Sequence, residues 1–316
     1  MTRPTLSAID RDLVPPAPPP PLPAGARLPP LTPLNSDPCA WRQAQALLAA
    51  DLAAAAAAFG ALDERLRTAG DGPRLRLAVA EAAMILRAAG DGVPADRLAQ
   101  LVALPGQPVP AESPALRRAV WTLRSLAALP VGPVPGLPPP ARLGLPEHAG
   151  EVWLHPLVRA ARIWQAGGPQ PPADPARYCT AAVTAARLAV AGGRGFAAFV
   201  PAAIGGAGGA PDTPEAALTG WLAAAEAGCL AALGLLDRLS AWQSRATAAT
   251  TSLNGRTPGR LIAVLATWPV VSASFAETEA QASRAAVQRN IDRLAERGLI
   301  REITGQGRYR LWTAAY

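Results

Sequence analysis

The chain has 316 residues, 30 basic and 23 acidic side chains, and a net charge of +7; every basic residue is an Arg. Half of the residues are apolar but only 5% are aromatic. The apolar mass is therefore Ala, Leu and Val, which favours helix and excludes a large β-sandwich or barrel. Cys39, Cys179 and Cys229 are widely spaced and form no CxxC pair, so no disulfide framework is expected and a reducing compartment fits. Asp10, Arg11 and Asp12 interrupt the apolar core that a signal peptide needs. No run of about twenty strongly apolar residues is free of charges and Gly/Pro breaks, so no membrane partner is expected. These features describe a soluble, cytoplasmic protein.

Residues 1–38 contain 12 of the 35 prolines, including Pro18 to Pro21. Proline fixes φ and removes donors, so a disordered or polyproline II tail is expected here. A helical region follows over 39–129. Leu47, Leu48, Leu52, Phe59, Leu62 and Leu66 recur at spacings of one helix face. Gly70-Asp71-Gly72-Pro73 reads as a break, with a helix from Arg74 to Ala89, a short one from Pro94, and another opened by Ser113-Pro114. Residues 130–146 hold seven prolines and read as a linker.

A second helical region is expected over 147–253, with helices near 155–166 and 174–191. Residues 192–211 contain seven glycines without apolar period and read as a loop. Asp212-Thr213-Pro214-Glu215 starts a long helix over 213–249. Along it Leu218, Leu222, Ala225, Cys229, Ala232, Leu236 and Leu239 alternate steps of four and three. This heptad-like seam serves either packing within a bundle or a homodimer.

The pattern changes over 254–316. Pro258 opens a helix that ends at Trp268-Pro269, and Val270-Val271 is short and extended. Ser272 caps a second helix to Ala280, and Ser283 caps a third that carries Val287, Ile291 and Leu294 on one face. Gly298 suits the position after a helix end. Leu299 to Thr304 and Arg308 to Trp312 form a hairpin around Gly305-Gln306-Gly307, with Tyr309 and Leu311 on one face and Arg308 and Arg310 on the other. Helix, short strand, helix, helix, hairpin is the order of a winged helix-turn-helix. The fold class is therefore mainly α: a helical bundle followed by a C-terminal winged helix-turn-helix with a small β-hairpin.

Such a module offers the outer face of its third helix to the major groove. Arg284, Ala285, Gln288 and Arg289 lie off the apolar stripe; Arg reads guanine and Gln reads adenine, each by two hydrogen bonds. Arg308 and Arg310 suit phosphate contact from the wing, and Ser283 can meet a phosphate at the helix start. Residues 254–316 carry a net +4, the preceding 253 residues only +3. The excess charge thus collects where nucleic acid would bind. Asp292, Glu296 and Glu302 dilute it, and Glu277 with Glu279 make the second helix acidic.

Enzyme chemistry has little support. His148 and His155 lack partners for a zinc site. No G-x-S-x-G, HExxH or Walker motif occurs, and Gly205-Gly206-Ala207-Gly208-Gly209 lacks the Lys and strand of a phosphate loop. Glu81 and Glu226 sit in apolar helices, where a lone carboxylate more often faces solvent or an Arg. No cofactor or metal is expected.

The segment Asp292-Arg293-Leu294-Ala295-Glu296-Arg297-Gly298-Leu299-Ile300-Arg301-Glu302-Ile303-Thr304-Gly305, with Arg308-Tyr309-Arg310-Leu311-Trp312, resembles the end of an uncharacterised proteobacterial family found mainly in rhizobia. Ala61 to Arg67 and the Arg-Leu-Arg-Leu-Ala run at Arg74 extend the likeness. That family has no established function, so the resemblance implies the winged helix and no activity. The long helix and wing are also similar to Fic proteins with C-terminal winged helices. Here His155-Pro156-Leu157 is followed by Ala160-Ala161-Arg162-Ile163, so the glycines that cradle phosphate in that family are missing. His155 is not a candidate catalytic residue. The sequence points to a DNA-binding protein, a transcriptional or plasmid-associated regulator. The alternative is a protein-interaction scaffold whose winged helix does not meet DNA.

Overall fold

One local pattern starts five of the helices: a capping side chain, then Pro at the first helical position. Asp37, Ser113, His155, Asp174 and Thr213 each accept a hydrogen bond from a backbone N–H one turn in, and a proline follows each of them. The cap satisfies one orphan donor, and the proline removes another while presetting φ. The computed structural model describes residues 37–103, 113–129, 137, 153–168, 172–209, 211–251, 255–305 and 310–316. The expected tail over 1–38, apart from Asp37 and Pro38, lies outside the described residues. So does the expected linker over 130–146, apart from the buried Leu137.

The chain order is α1 (Pro38–Leu47), α2 (Ala49–Arg67), α3 (Asp71–Ala88), α4 (Ala95–Ala103), α5 (Pro114–Leu126), α6 (Pro156–Gln165), α7 (Pro175–Leu188) and α8 (Pro214–Thr250). Then come α9 (Thr257–Thr267), β1 (Val271–Ser272), α10 (Ala273–Ala280), α11 (Arg284–Glu296), β2 (Ile300–Glu302) and β3 (Leu311–Ala314). The mainly helical class, with one small sheet at the C-terminal end, holds. Two local expectations do not. The stretch from Pro38 to Leu66 is not one helix: the chain bends by 81° around Leu48. Leu48 leaves helical geometry at φ −101° and ψ 30°, which lets α1 and α2 both lie against α8 and leaves Leu47 exposed. Gly70 to Pro73 is also not a break. Gly70 serves as N-cap at φ +76°, and Asp71, Gly72 and Pro73 form the first turn of α3, where proline is tolerated.

The long helix α8 organises the body. Every residue of the 218–239 seam is buried, and the helix packs against α1, α2, α6 and α9 of its own chain. The seam expected to serve either bundle packing or a homodimer is thus filled by helices of the same chain. By length and apolar content α8 could cross a membrane, but its apolar face is buried in this bundle. Helices from both sides of the 130–146 stretch share one core with the C-terminal module.

The Gly-rich 192–211 stretch is a loop, yet Ala197, Phe199, Val200, Ala202 and Ala203 are buried. A buried loop needs partners for its backbone. Two carboxylates supply them. Asp63 of α2 accepts from the amides of Arg194, Phe196 and Ala197 at 2.5, 2.8 and 2.6 Å. Glu81 of α3, fully buried, accepts from Ala203 and Ile204 at 2.8 and 2.9 Å. Glu81 thus departs from the expected solvent-facing carboxylate, because the loop brings donors to it. The loop also touches the α8 backbone directly: a Cβ on Gly205 would collide with the Ala224 carbonyl, and one on Gly228 with the Pro201 carbonyl.

Two outcomes are expected. Gly228→Ala will destabilise the protein by about 3 kcal/mol or more in denaturant titration, because neither backbone can yield without moving the loop. Burial raises the Glu81 pKa from 4.5 to about 8, while its two backbone amides pull it down. The folded state then holds this proton more tightly than the unfolded state. The contribution to stability is full below about pH 4.5 and declines as pH rises towards about 8. Melting temperature measured across that window will fall with pH in the wild type, and this part of the slope will vanish in Glu81→Gln.

Candidate nucleic-acid interface

Short capping signals shape the C-terminal module. Ser272 accepts from the Phe275 amide at 3.1 Å and starts α10. The helix ends at Gln281, which adopts a left-handed conformation at φ 49° and turns the chain. The Arg260 guanidinium of α9 donates to the Ala280 carbonyl at 3.1 Å, placing a cation at the negative end of α10. Ser283 then caps α11 by accepting from Ala286 at 3.4 Å. Val287, Ile291 and Leu294 are buried, as their spacing predicts, and Asn290 joins them by donating to the Ala286 carbonyl at 2.8 Å.

The sheet is antiparallel in the order β1-β3-β2, so the last strand lies in the middle. Val271 pairs with Trp312, and Ile300, Arg301 and Glu302 pair with Ala314, Thr313 and Trp312. β2 and β3 pair antiparallel as the two expected hairpin strands, with β3 described from Leu311; residues 306–309, which hold most of the expected turn and Arg308, lie outside the described residues. The two-residue β1, which the sequence placed one residue earlier, turns the pair into a three-stranded sheet.

The expected reading face is open. Ser283, Arg284, Ala285 and Arg289 are exposed on α11. Gln288 is half-buried and donates from Nε2 to Asp292 Oδ1 at 2.8 Å, so reading a base requires exchanging that bond. Arg293, one turn beyond Arg289 and also exposed, extends the basic flank; the i, i+4 spacing was its signal. Asp292 and Glu296 share the outer face. On the wing, Arg310 pairs with Glu302 at 2.7 Å and lies over the Trp312 ring at 5.6 Å. It is held across the strands rather than extended, although a pair this exposed contributes little and can be exchanged. Arg308 lies outside the described residues.

The module is fastened to the body through residues that sequence patterns did not single out. Arg76 of α3 is buried, and its guanidinium donates to the carbonyls of Leu265, Trp268 and Pro269 at 2.5, 2.7 and 3.5 Å. Those are the last carbonyls of α9 and the turn after it. Gly72 lets α3 touch Thr267, since a Cβ there would strike the Thr267 backbone. Trp242 of α8 donates from Nε1 to the Leu299 carbonyl at 2.6 Å, and Arg297 donates to Ala249. Arg301 of the wing reaches Asp96 of α4 at 3.4 Å. An Arg between Leu75 and Leu77, inside an apolar helix, was the available sign for Arg76.

Other reactive groups have structural roles. His155 caps α6, accepting from the Leu157 amide at 3.2 Å. Burial pushes the Cys179 and Cys229 thiols up to about 12, so they stay protonated near neutrality.

Compared with known proteins, residues 258–314 match the family described as HTH DNA binding domain. No curated protein matches the chain. The match coincides with α9 to β3. It assigns no family to residues 1–257 and supports no Fic relationship.

Replacing Arg76 by Met will remove three charged donors from buried carbonyls. The expected loss is about 3 kcal/mol or more, read by denaturant titration. The amides of 265–271 will exchange faster in hydrogen exchange, while those of α2 will change least.

Proposed function

We propose that this chain is a DNA-binding regulator that places α11 in the major groove. The observation that carries the reading is an α11 face with Arg284 and Arg289 exposed and Gln288 half-buried between them, within a module matched as an HTH DNA binding domain. Arg284 and Arg289 read guanine edges, and Gln288 reads adenine after releasing Asp292. Ser283, Arg308 and Arg310 meet phosphates on either side of the groove. The net +4 of residues 254–316 supports approach to DNA.

The role is transcriptional or plasmid-associated regulation in the cytoplasm. Three free cysteines are consistent with a reducing compartment. In this reading the chain is a binding protein and not an enzyme, with His155 acting as a helix cap. If two copies pair through α8, they use the face opposite the seam, where Ala216, Gly220, Ala223, Ala227 and Leu230 are exposed. Asp292 and Glu296 on the outer face of α11 favour a second reading, in which the module docks on a protein.

Fluorescence anisotropy with genomic fragments tests the choice. Affinity will fall steeply with added salt. Arg284→Ala and Arg289→Ala will each cost about 1–3 kcal/mol of binding at the cognate sequence, while Arg42→Ala on the body will cost nothing measurable. Absence of binding at low salt overturns the DNA reading in favour of protein docking. Unchanged affinity in both α11 variants shows that a different face meets the DNA.

A further inference from the structure

A cavity of about 260 Å³ lies between α2, α3, α5 and the loop at 195–201. Its lining is mainly apolar and includes Leu62, Leu126, Phe196 and Phe199. Protein interiors otherwise pack to the density of organic crystals, and an apolar void of about 150 Å³ already accepts benzene. This space is therefore large enough for a small ring or a short aliphatic chain.

The cavity also has a charged side. Arg74 and Asp71 of α3 line it. Arg74 donates through Nη1 to Asp71 at 3.2 Å and through Nη2 to the Leu66 carbonyl at 3.0 Å, while its buried Nε has no acceptor. The guanidinium is thus under-satisfied, and the Asp71 side chain beside it is 45% exposed and free to turn to water. The start of α3 adds to the positive field: its N-cap is Gly70, which offers no side-chain acceptor to the first amides. A ligand carboxylate can compete with Asp71 for this guanidinium and take the donors that Asp71 and the Leu66 carbonyl leave open, since it accepts two at once.

The walls are set before any ligand arrives. Asp63 fixes the amides of Arg194, Phe196 and Ala197 in the loop. On the facing side Ala128 stands in a left-handed conformation at φ 54°, closing α5 with the Leu129 amide on the Arg124 carbonyl at 2.9 Å. This is a left-handed helix end of the common kind, made by an alanine at a modest conformational cost, and it fixes the wall at 126–128.

We propose that this cavity binds a small apolar monocarboxylate, with its hydrocarbon part between Leu62, Leu126, Phe196 and Phe199 and its carboxylate on Arg74. The position suits regulation. Arg74 lies in the same two turns of α3 as Gly72, which abuts Thr267, and Arg76, which holds the carboxyl end of α9. Occupancy bears on the segment that fastens the winged helix. The binding site itself does not depend on what the winged helix recognises.

Isothermal titration of the full chain with benzoate, phenylacetate, hexanoate and octanoate tests the site, with benzamide and hexanamide as uncharged controls. At least one acid will bind saturably at one site, roughly tenfold or more tighter than its amide, as expected for a charge-assisted contact. Arg74→Gln will weaken that acid by a similar factor, and Ala198→Leu, which fills the cavity, will abolish binding. Hydrogen exchange at 265–271 will slow when the acid is present. If Arg74→Gln does not fold, the acid–amide comparison and Ala198→Leu decide. No binding by any acid at millimolar concentration overturns the proposal. So does equal binding of acid and amide, binding unaffected by Ala198→Leu, or unchanged exchange at 265–271. The titration uses no DNA, so its failure is separate from failure of the DNA reading.

Discussion

A buried cation at the carboxyl end of a helix holds the two parts of this molecule together. The last carbonyls of α9 have no partners within the helix, and they carry the negative end of its dipole. Arg76 reaches them from α3 with a planar group able to serve several acceptors at once. Burial lowers the Arg76 pKa, and Tyr316, whose ring lies 5.5 Å away, acts in the opposite direction. The charge is retained because the carbonyls replace much of the lost water. Everything beyond α9 inherits its orientation from this contact, with Trp242 and Thr313 adding hydrogen bonds to Leu299 and Pro269.

Asp63 and Glu81 solve the opposite problem. There the backbone supplies donors and the side chains supply the acceptors. A loop rich in Gly and Ala has little apolar mass of its own, so it gains order by sinking into the body. That burial is tolerable because its amides converge on two carboxylates. Close backbone approach at Gly205 and Gly228 does the rest. The same loop that lacks periodicity in sequence is thus held by hydrogen bonds and close backbone packing.

Legibility followed range. Features decided within one or two turns were readable: the Pro-after-cap starts, α8 to within a residue, the stripe Val287, Ile291 and Leu294, and the helix order of the winged module. These depend on capping and periodicity, which are local. The break at Leu48 was not readable, because its neighbours are good helix formers and the bend comes from packing on α8. Arg76 and Glu81 were misjudged or missed for a related reason. Their burial is set by partners 189 to 193 and 122 to 123 residues away in sequence. Arg284, Ala285 and Arg289 are exposed where the helical wheel places them, but the half-burial of Gln288 and the Gln288–Asp292 and Arg310–Glu302 contacts needed side-chain geometry.

The length of α8 has a consequence for how the protein would sit on a duplex. A helix of 37 residues is about 55 Å long, and its last turns are tied to the winged module through Trp242 and Ala249. Those hydrogen bonds and a shared core tie the helical body to the module that carries α11. For a chain docked through α11, the direction in which the body projects is set by the rotational position of its site on the DNA. Sites separated by whole helical turns, about 10–10.5 base pairs, would bring neighbouring bodies to the same side of the duplex. Half-turn spacings would place them on opposite sides and out of reach of each other. The phasing of binding sites, more than their number, would then decide whether bound copies can touch.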